Sequence, residues 1–427
     1  MDVSGKEIMN SEKCYEIRKK HDEKYENLFY IGVWSRGEFC RVTCPKPLPP
    51  RKEDMTYFHN IYEAFEAGLL PCPDCEPDMY SEMITLNINL SNVVNNALRM
   101  IAEGYLNTHT LNQLAQRLYV SERHLRRLFH EETGMSPIKI AEYHKIIFAK
   151  KLLYETSMKI TDIAFASGFN SLRQFNYSFK KIYKQTPSMI RKDIEEKNQE
   201  DQHIYISYHK GFDFEEALNE LKENIVTSVE KIEDQCYIRT FNLNHVSGIV
   251  KIKDLKEENK LKVKIITDDR RVYMAVYYKI QRMFGVLNIH LKHVLGFNPF
   301  QTALSIILTD AGYENVTEIM NEIVEVCGKD SKYQKYGLKK VFPTFERFQQ
   351  CDLQKINIQD SVKNILKEFN ERLLENKIVI SYNQSYEKFY QDMKEIQGLQ
   401  DTTIDRIAER ALGLSKNQAT MQILQSL

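Results

Sequence analysis

The apolar positions of this chain change period twice. Between about residues 90 and 192 they recur at helical spacing. Leu111, Leu114, Ala115, Leu118 and Val120 form one such stripe, and Ser121 follows as a candidate N-cap. Glu122 to Phe129 then reads as a short basic helix with one apolar side. The pattern returns about fifty residues on. Ile160, Ile163, Ala164 and Ala166 predict a helix, Gly168-Phe169-Asn170 a turn, and Ser171 the cap of a helix holding Arg173, Gln174, Asn176, Tyr177 and Lys180. Glu142 to Glu155 predicts a long connecting helix. From about His203 the period becomes two. Ile204 to Tyr208, Tyr237 to Phe241, Val246 to Ile252 and Leu261 to Ile266 alternate as strands, with helices predicted over Phe214–Leu221 and Val272–Phe284. From Leu287 to Leu427 the chain reads as helical again. Between the two halves, Asp193 to Gln202 is polar and acidic without apolar periodicity, and predicts an exposed linker.

These readings set the expected fold class: a multidomain, mainly α protein. A small α+β module occupies 1–82, an all-α module with two helix-turn-helix units 90–192, an α+β module with an antiparallel sheet 203–286, and an all-α module 287–427. At 427 residues there is room for two to four domains.

Charge sharpens one segment only. The whole chain balances 59 basic against 59 acidic residues. From His109 to Lys192, however, fifteen Lys and Arg face six Asp and Glu. That local surplus suits a nucleic-acid surface. A helix, a turn and a second helix with a polar outer side is a shape that docks into a major groove, and two such units could read groove faces about one helical turn (~34 Å) apart. No apolar run is long enough to span a bilayer, and Met1 to Lys6 opens no signal peptide. The expected location is cytoplasmic, with no membrane partner.

The candidate chemistry lies in four cysteines. Cys40 and Cys44 form one tight pair, Cys72 and Cys75 another, with a helix-length insert between. Thiolates at such spacing supply a tetrahedral zinc ion with two ligands per loop at little entropic cost. A four-cysteine zinc site can be purely structural, but a zinc-held sulfur is also a ready nucleophile at neutral pH. The other cysteines, Cys14, Cys236, Cys327 and Cys351, are scattered and are expected to be reduced and mostly buried.

The stretch from Phe29 to Cys75 resembles the N-terminal zinc domain of Ada-type methyl-phosphotriester repair and response proteins. Phe39-Cys40-Arg41, Cys44-Pro45, the helix-like Asn60 to Gly68 and Pro71-Cys72 with Cys75 carry the likeness. The resemblance implies one Zn2+ held by Cys40, Cys44, Cys72 and Cys75. It implies that Cys40 irreversibly accepts a methyl group from a methylated DNA phosphate, once per molecule. Four thiolates on Zn2+ carry a formal charge of about −2, which a thioether at Cys40 would cut to about −1, so DNA affinity should rise.

Leu90 to Lys192 resembles the AraC-type double helix-turn-helix domain. Ser121 to Phe129, Thr133-Gly134-Met135-Ser136-Pro137, Asp162 to Phe169 and the Phe175, Phe179-Lys180, Tyr183-Lys184, Thr186-Pro187 series carry it. Base contacts are expected from Arg123, His124, Arg126 and Arg127 in the first unit, and from Leu172, Arg173, Gln174 and Asn176 in the second. Lys180, Lys181 and Lys184 suit phosphate or water. The partners implied are double-stranded DNA, as methylated backbone and as promoter operator, and RNA polymerase.

The segment 203–286 resembles the N-terminal domain of 3-methyladenine DNA glycosylases, and 287–427 their helix-hairpin-helix domain. Gly296 to Leu304 matches its first helix, and Lys394 to Ile404 lies where the hairpin should be. Gly398 remains there as a candidate phosphate contact, but Gln400 replaces the second hairpin glycine. No aspartate follows Asp405, although the resemblance implies a catalytic aspartate in the zone Lys416 to Gln422. Glu409 could substitute in principle. The only tryptophan is Trp34, far from any base pocket in that half. Pro-Cys-His-Arg, the guanine-methyl acceptor motif of some Ada proteins, is absent. The expected function is a sensor and transcriptional regulator of DNA alkylation damage whose glycosylase-like half is inactive. The alternatives are a base-excision glycosylase with fused regulatory domains, and a zinc-dependent DNA-binding module without methyl transfer.

Overall fold

The computed structural model describes residues 11–26, 28–78, 90–193, 202–208, 211–243, 245–286, 293–380 and 385–414. It divides into two units, Met1–Asp201 and Gln202–Leu427.

The first unit opens with α1 (Ser11–Lys20) and a four-stranded sheet of β1 (Tyr30–Val33), β2 (Glu38–Cys40), β3 (Met55–Phe58) and β4 (Leu70–Pro71), in the order β3-β1-β2-β4. β1 runs antiparallel to β2 and β3, and β4 parallel to β2. Gly32 in β1 sits in close contact: a Cβ there would stand 2.5 Å from the Leu69 side chain and 2.6 Å from the Phe58 ring, and these would have to shift. α2 (Ile61–Glu66) is capped by Asn60, whose side chain accepts from the Glu63 N–H. Its buried residues are Ile61, Tyr62, Ala64 and Phe65.

Seven helices follow: α3 (Asn92–Ala102), α4 (Leu111–Arg117), α5 (Glu122–Thr133), α6 (Pro137–Glu155), α7 (Ile160–Ala166), α8 (Leu172–Tyr183) and α9 (Pro187–Asp193). The two predicted helix-turn-helix units are α4–α5 and α7–α8. Thr110 and Gln113 close a capping box on α4, and Ser121 and Ser171 cap α5 and α8 through their hydroxyls. Gly168 in the second turn has φ +85°, and a Cβ there would strike Asn107 at 2.2 Å. The connector α6 runs longer than the sequence pattern predicts, because Ser136 caps it and Pro137 starts it. Residues 194–201 of the predicted linker lie outside the described residues.

The second unit contains β5 (His203–Ser207), α10 (Phe214–Lys222), β6 (Glu230–Glu233), β7 (Cys236–Leu243), β8 (Val246–Leu255), β9 (Lys260–Thr267) and α11 (Tyr273–Met283). Its five strands pair antiparallel in the order β5-β9-β8-β7-β6. β6 escaped the sequence reading: with four residues ending in Glu233, it shows no clear alternation. Helices α12 (Pro299–Asp310), α13 (Val316–Cys327), α14 (Phe345–Gln349), α15 (Asp360–Leu374), α16 (Tyr386–Lys394) and α17 (Asp401–Leu412) build the helical part around one apolar core.

One expectation is overturned here. Cys327 and Cys351 are joined in a disulfide, with Cα atoms 5.4 Å apart. The end of α13 and the turn after α14 meet through tertiary packing 24 residues apart, which no local pattern announces. Cys14 and Cys236 are free.

Candidate metal centre and nucleic-acid interface

The sheet brings the two cysteine pairs together. Cys40 ends β2, Cys44 lies in the loop beyond it, and the parallel pairing of β4 with β2 carries Cys72 and Cys75 alongside. The Cys72 N–H donates to the Phe39 carbonyl at 2.9 Å, fixing the second pair against the first. All four sulfurs lie within 4.8 Å of one another, and Cys44 and Cys72 are 3.9 Å apart. A tetrahedral zinc with bonds of about 2.3 Å sets its sulfurs about 3.8 Å apart. Cys44 and Cys72 are fully buried, and the small exposure that remains, 2% each, belongs to Cys40 and Cys75.

The electrostatics of the cluster call for a cation. Hydrogen bonding to Cys44 and Cys75, then burial, pushes the Cys40 thiol far up, while the same bonding from Cys40 and Cys75 holds Cys44 down at about 2. Four sulfurs this close cannot all ionise unaided, and a divalent soft metal removes the conflict. The cysteines therefore fit one zinc ion. The loop is braced from outside: the Arg41 N–H donates to Cys75 Sγ at 3.5 Å, and its guanidinium to the Cys75 carbonyl at 2.9 Å. Glu26 accepts from Arg41 at 3.0 Å and from the Thr43 N–H at 3.1 Å. Sequence reasoning missed Glu26, which stands alone in a charged stretch.

The residues expected to touch DNA fall at matching places on two helices. Arg123 and Arg173 each stand two positions after a capping serine, and both are exposed. His124 and Gln174 each donate their backbone N–H to that serine. Arg126, Arg127 and Lys180 are exposed, and Leu172 and Asn176 half-buried. Arg126 is paired with Glu122 at 2.7 Å and Arg127 with Glu131 at 3.4 Å, so both must exchange partners to reach a base. Lys181 and Lys184 are also exposed. Tyr177, passed over as a contact, is the most exposed aromatic of α8 at 68%.

In the second unit, Gly398 sits at φ +84° in the turn between α16 and α17. The α17 N-terminus carries the exposed carboxylate of Asp401, paired with Lys394 at 3.6 Å. Asp405 accepts from the Tyr386 hydroxyl, and Glu409 is exposed to solvent. Lys416 to Gln422 lies outside the described residues. Among those described, no helix is long and apolar enough to cross a membrane.

The sequence matches three families over successive stretches: the metal binding domain of Ada at residues 13–78, a helix-turn-helix domain at 114–193 and the AlkA N-terminal domain at 203–292. A probable bifunctional transcriptional activator/DNA repair enzyme AlkA from Mycobacterium tuberculosis is 22% identical over 94% of this chain and 86% of its own. The bifunctional transcriptional activator/DNA repair enzyme AdaA of Bacillus subtilis is 30% identical over 44% of this chain and 86% of its own. A 3-methyladenine DNA-glycosylase structure from Archaeoglobus fulgidus covers 49% of this chain and 79% of its own, at 16% identity and a TM-score of 0.42. With a buried four-cysteine centre, two capped helix-turn-helix units and 86% of the 30% identical AdaA covered, the chain belongs to the Ada family of bifunctional transcriptional activator/DNA repair proteins.

Proposed function

We propose that the chain senses methylated DNA phosphates and converts that damage into promoter binding. The observation that carries this reading is the buried four-cysteine cluster whose slight exposure falls on Cys40 and Cys75, built into one unit with two helix-turn-helix pairs. Bound zinc supplies the means to hold sulfur as thiolate at neutral pH. Cys40 Sγ attacks the methyl carbon of the triester. The methyl C–O bond breaks, its electron pair stays on the phosphate oxygen, and a thioether and a phosphodiester anion result. The sulfur is not regenerated, so each molecule reacts once. The loss of about one negative charge at the centre weakens its repulsion of DNA.

Arg123, His124, Arg126, Arg127, Leu172, Arg173, Gln174 and Asn176 read bases, and Lys180 holds phosphate. RNA polymerase is the partner of the promoter-bound form. The modules divide at 1–82, 90–192, 203–286 and 287–427, and the last is catalytically inactive, braced rather than active at its hairpin. Asp401 at the α17 terminus and the hydrogen-bonded Asp405 support that part of the reading.

The test is intact mass and peptide mapping after incubation of the zinc-loaded chain with DNA carrying methyl phosphotriesters. One added methyl (~14 Da) on Cys40 is expected. An unmodified Cys40 with zinc in place overturns the reading. The AlkA N-terminal match favours a second reading, base excision by the second unit; release of free 3-methyladenine from alkylated DNA would establish it.

A further inference from the structure

The five-stranded sheet of the second unit has two unlike faces. Ile204 and Ile206 of β5, Val250 and Ile252 of β8, and Val263 and Ile265 of β9 are buried on the core side. Side chains alternate along a strand, so the residues between them share the opposite face. There Lys251 stands directly opposite Lys264, and Lys253 directly opposite Lys262. His203 and Tyr205 of β5 continue these two rows beyond Lys264 and Lys262. Lys260 completes a line of three lysines along β9. No aspartate or glutamate occupies an outward position of β5, β8 or β9. Glu258, in the turn between β8 and β9, pairs with Lys260 at 3.1 Å. At its other end the same face is covered, where Ile238 and Ile249 pack with Tyr333 and Leu338. Lys251 marks the border, with its ammonium 4.6 Å from the centre of the Tyr336 ring.

Like charges directly opposite each other on adjacent strands destabilise a sheet. Two such pairs side by side, with no carboxylate among them, form a surface that a polyanion relieves. Strand geometry sets the lattice: about 5 Å between opposed residues and about 7 Å between successive lysines of one strand. The three lysines of β9 thus span about 14 Å, roughly the rise of four phosphates along one strand of duplex DNA. Lysine is a mobile point charge, suited to phosphate contact without base readout. We propose that the face of Lys251, Lys253, Lys260, Lys262 and Lys264 is a second DNA-contact surface, which holds the phosphate backbone of duplex DNA without regard to sequence. These lysines stand on strands rather than at the α16–α17 turn, and in a different unit from the helices expected to read bases. The surface needs no methyl transfer at Cys40.

The experiment uses the full zinc-loaded chain, unmethylated duplex DNA of mixed sequence, and the double variant Lys253→Gln/Lys264→Gln, which removes one lysine from each opposed pair. Affinity is measured by fluorescence anisotropy across a salt series. Two lost phosphate contacts should make the slope of log affinity against log salt shallower by about 1.8. From 50 to 200 mM salt the parent should therefore lose about 10-fold more affinity than the variant. The variant should unfold at the same temperature as the parent or higher, because the repulsion is relieved. Slopes that agree to within about half a unit overturn the surface. The parent chain alone supplies a second measurement. Excess duplex should slow the acetylation of Lys253, Lys262 and Lys264 by an amine-reactive ester, read by peptide mass. Undiminished acetylation overturns the surface. Protection by single-stranded DNA or by polyglutamate, but not by duplex, overturns it as well. The first result would assign the face to unpaired strands, and the second to an acidic protein.

Discussion

The Tyr62 hydroxyl and the His144 imidazole meet at 2.8 Å inside the first unit, 82 residues apart in sequence. His144 is fully buried, and burial holds its pKa down at about 3 against an ordinary 6.5. The unfolded chain takes up a proton there that the folded chain refuses. The stability linked to His144 is therefore complete above about pH 6.5 and is lost as pH falls towards about 3. The slope approaches ~1.4 kcal/mol per pH unit. Urea midpoints at pH 7, 6 and 5 should fall more steeply for the parent chain than for His144→Gln.

Asp78 and Lys150 form a buried ion pair, with side chains 0% and 9% exposed. Removing one partner strands the other charge, so Asp78→Ala should cost the first unit about 3–5 kcal/mol in denaturant unfolding. An apolar replacement of both partners, Asp78→Leu with Lys150→Met, should cost clearly less than the sum of the single changes. Additive costs would show that the pair contributes nothing as a pair.

The metal centre should hold one zinc per chain by elemental analysis. Cys44→Ala and Cys72→Ala remove fully buried ligands and should drop the metal content towards zero at micromolar protein. Chelation should unfold the sheet of β1 to β4, read as lost amide protection over residues 30–71, because the cluster ties the end of β2 to the end of β4.

At the proposed DNA face, Arg123→Ala and Arg173→Ala should each cost about 1–3 kcal/mol of operator binding and relax the base preference at one position. Lys180→Ala should instead weaken all sequences alike and lower the salt slope by about one. Binding titrations at three salt concentrations distinguish these outcomes.

The Cys327–Cys351 bridge closes a loop of 24 residues, worth about 3 kcal/mol to the second unit in the chain-entropy account. Reductant should lower the unfolding temperature of that unit in the parent chain. It should leave Cys327→Ser/Cys351→Ser unchanged.

Much of this molecule is local and therefore legible along the chain. Ser121 and Ser171 cap the helices that follow them, because a cap needs only the next three residues. Alternation gave β5, β7, β8 and β9, since a strand with one buried face writes its period into the sequence. The two cysteine pairs announced a metal because each pair closes a short loop. Short-range spacing likewise put Arg123 and Arg173 on equivalent turns of two helices.

What remained hidden depends on meetings across tens of residues. Nothing near Asp78 shows that Lys150 and Tyr183 will close on it, and nothing near Phe65 shows that Tyr143 will stack there. Glu26 gains its role only when folding sets it against Arg41 and Thr43. Cys327 and Cys351 look like isolated thiols until α13 and α14 pack. The sequence by itself determined most of the helices, four strands of the second unit, the caps at Ser121 and Ser171 and which residues could bind metal. Tertiary structure alone decided which buried charges and rings would be partners, because those contacts are selected by how whole elements exclude water and fill space together.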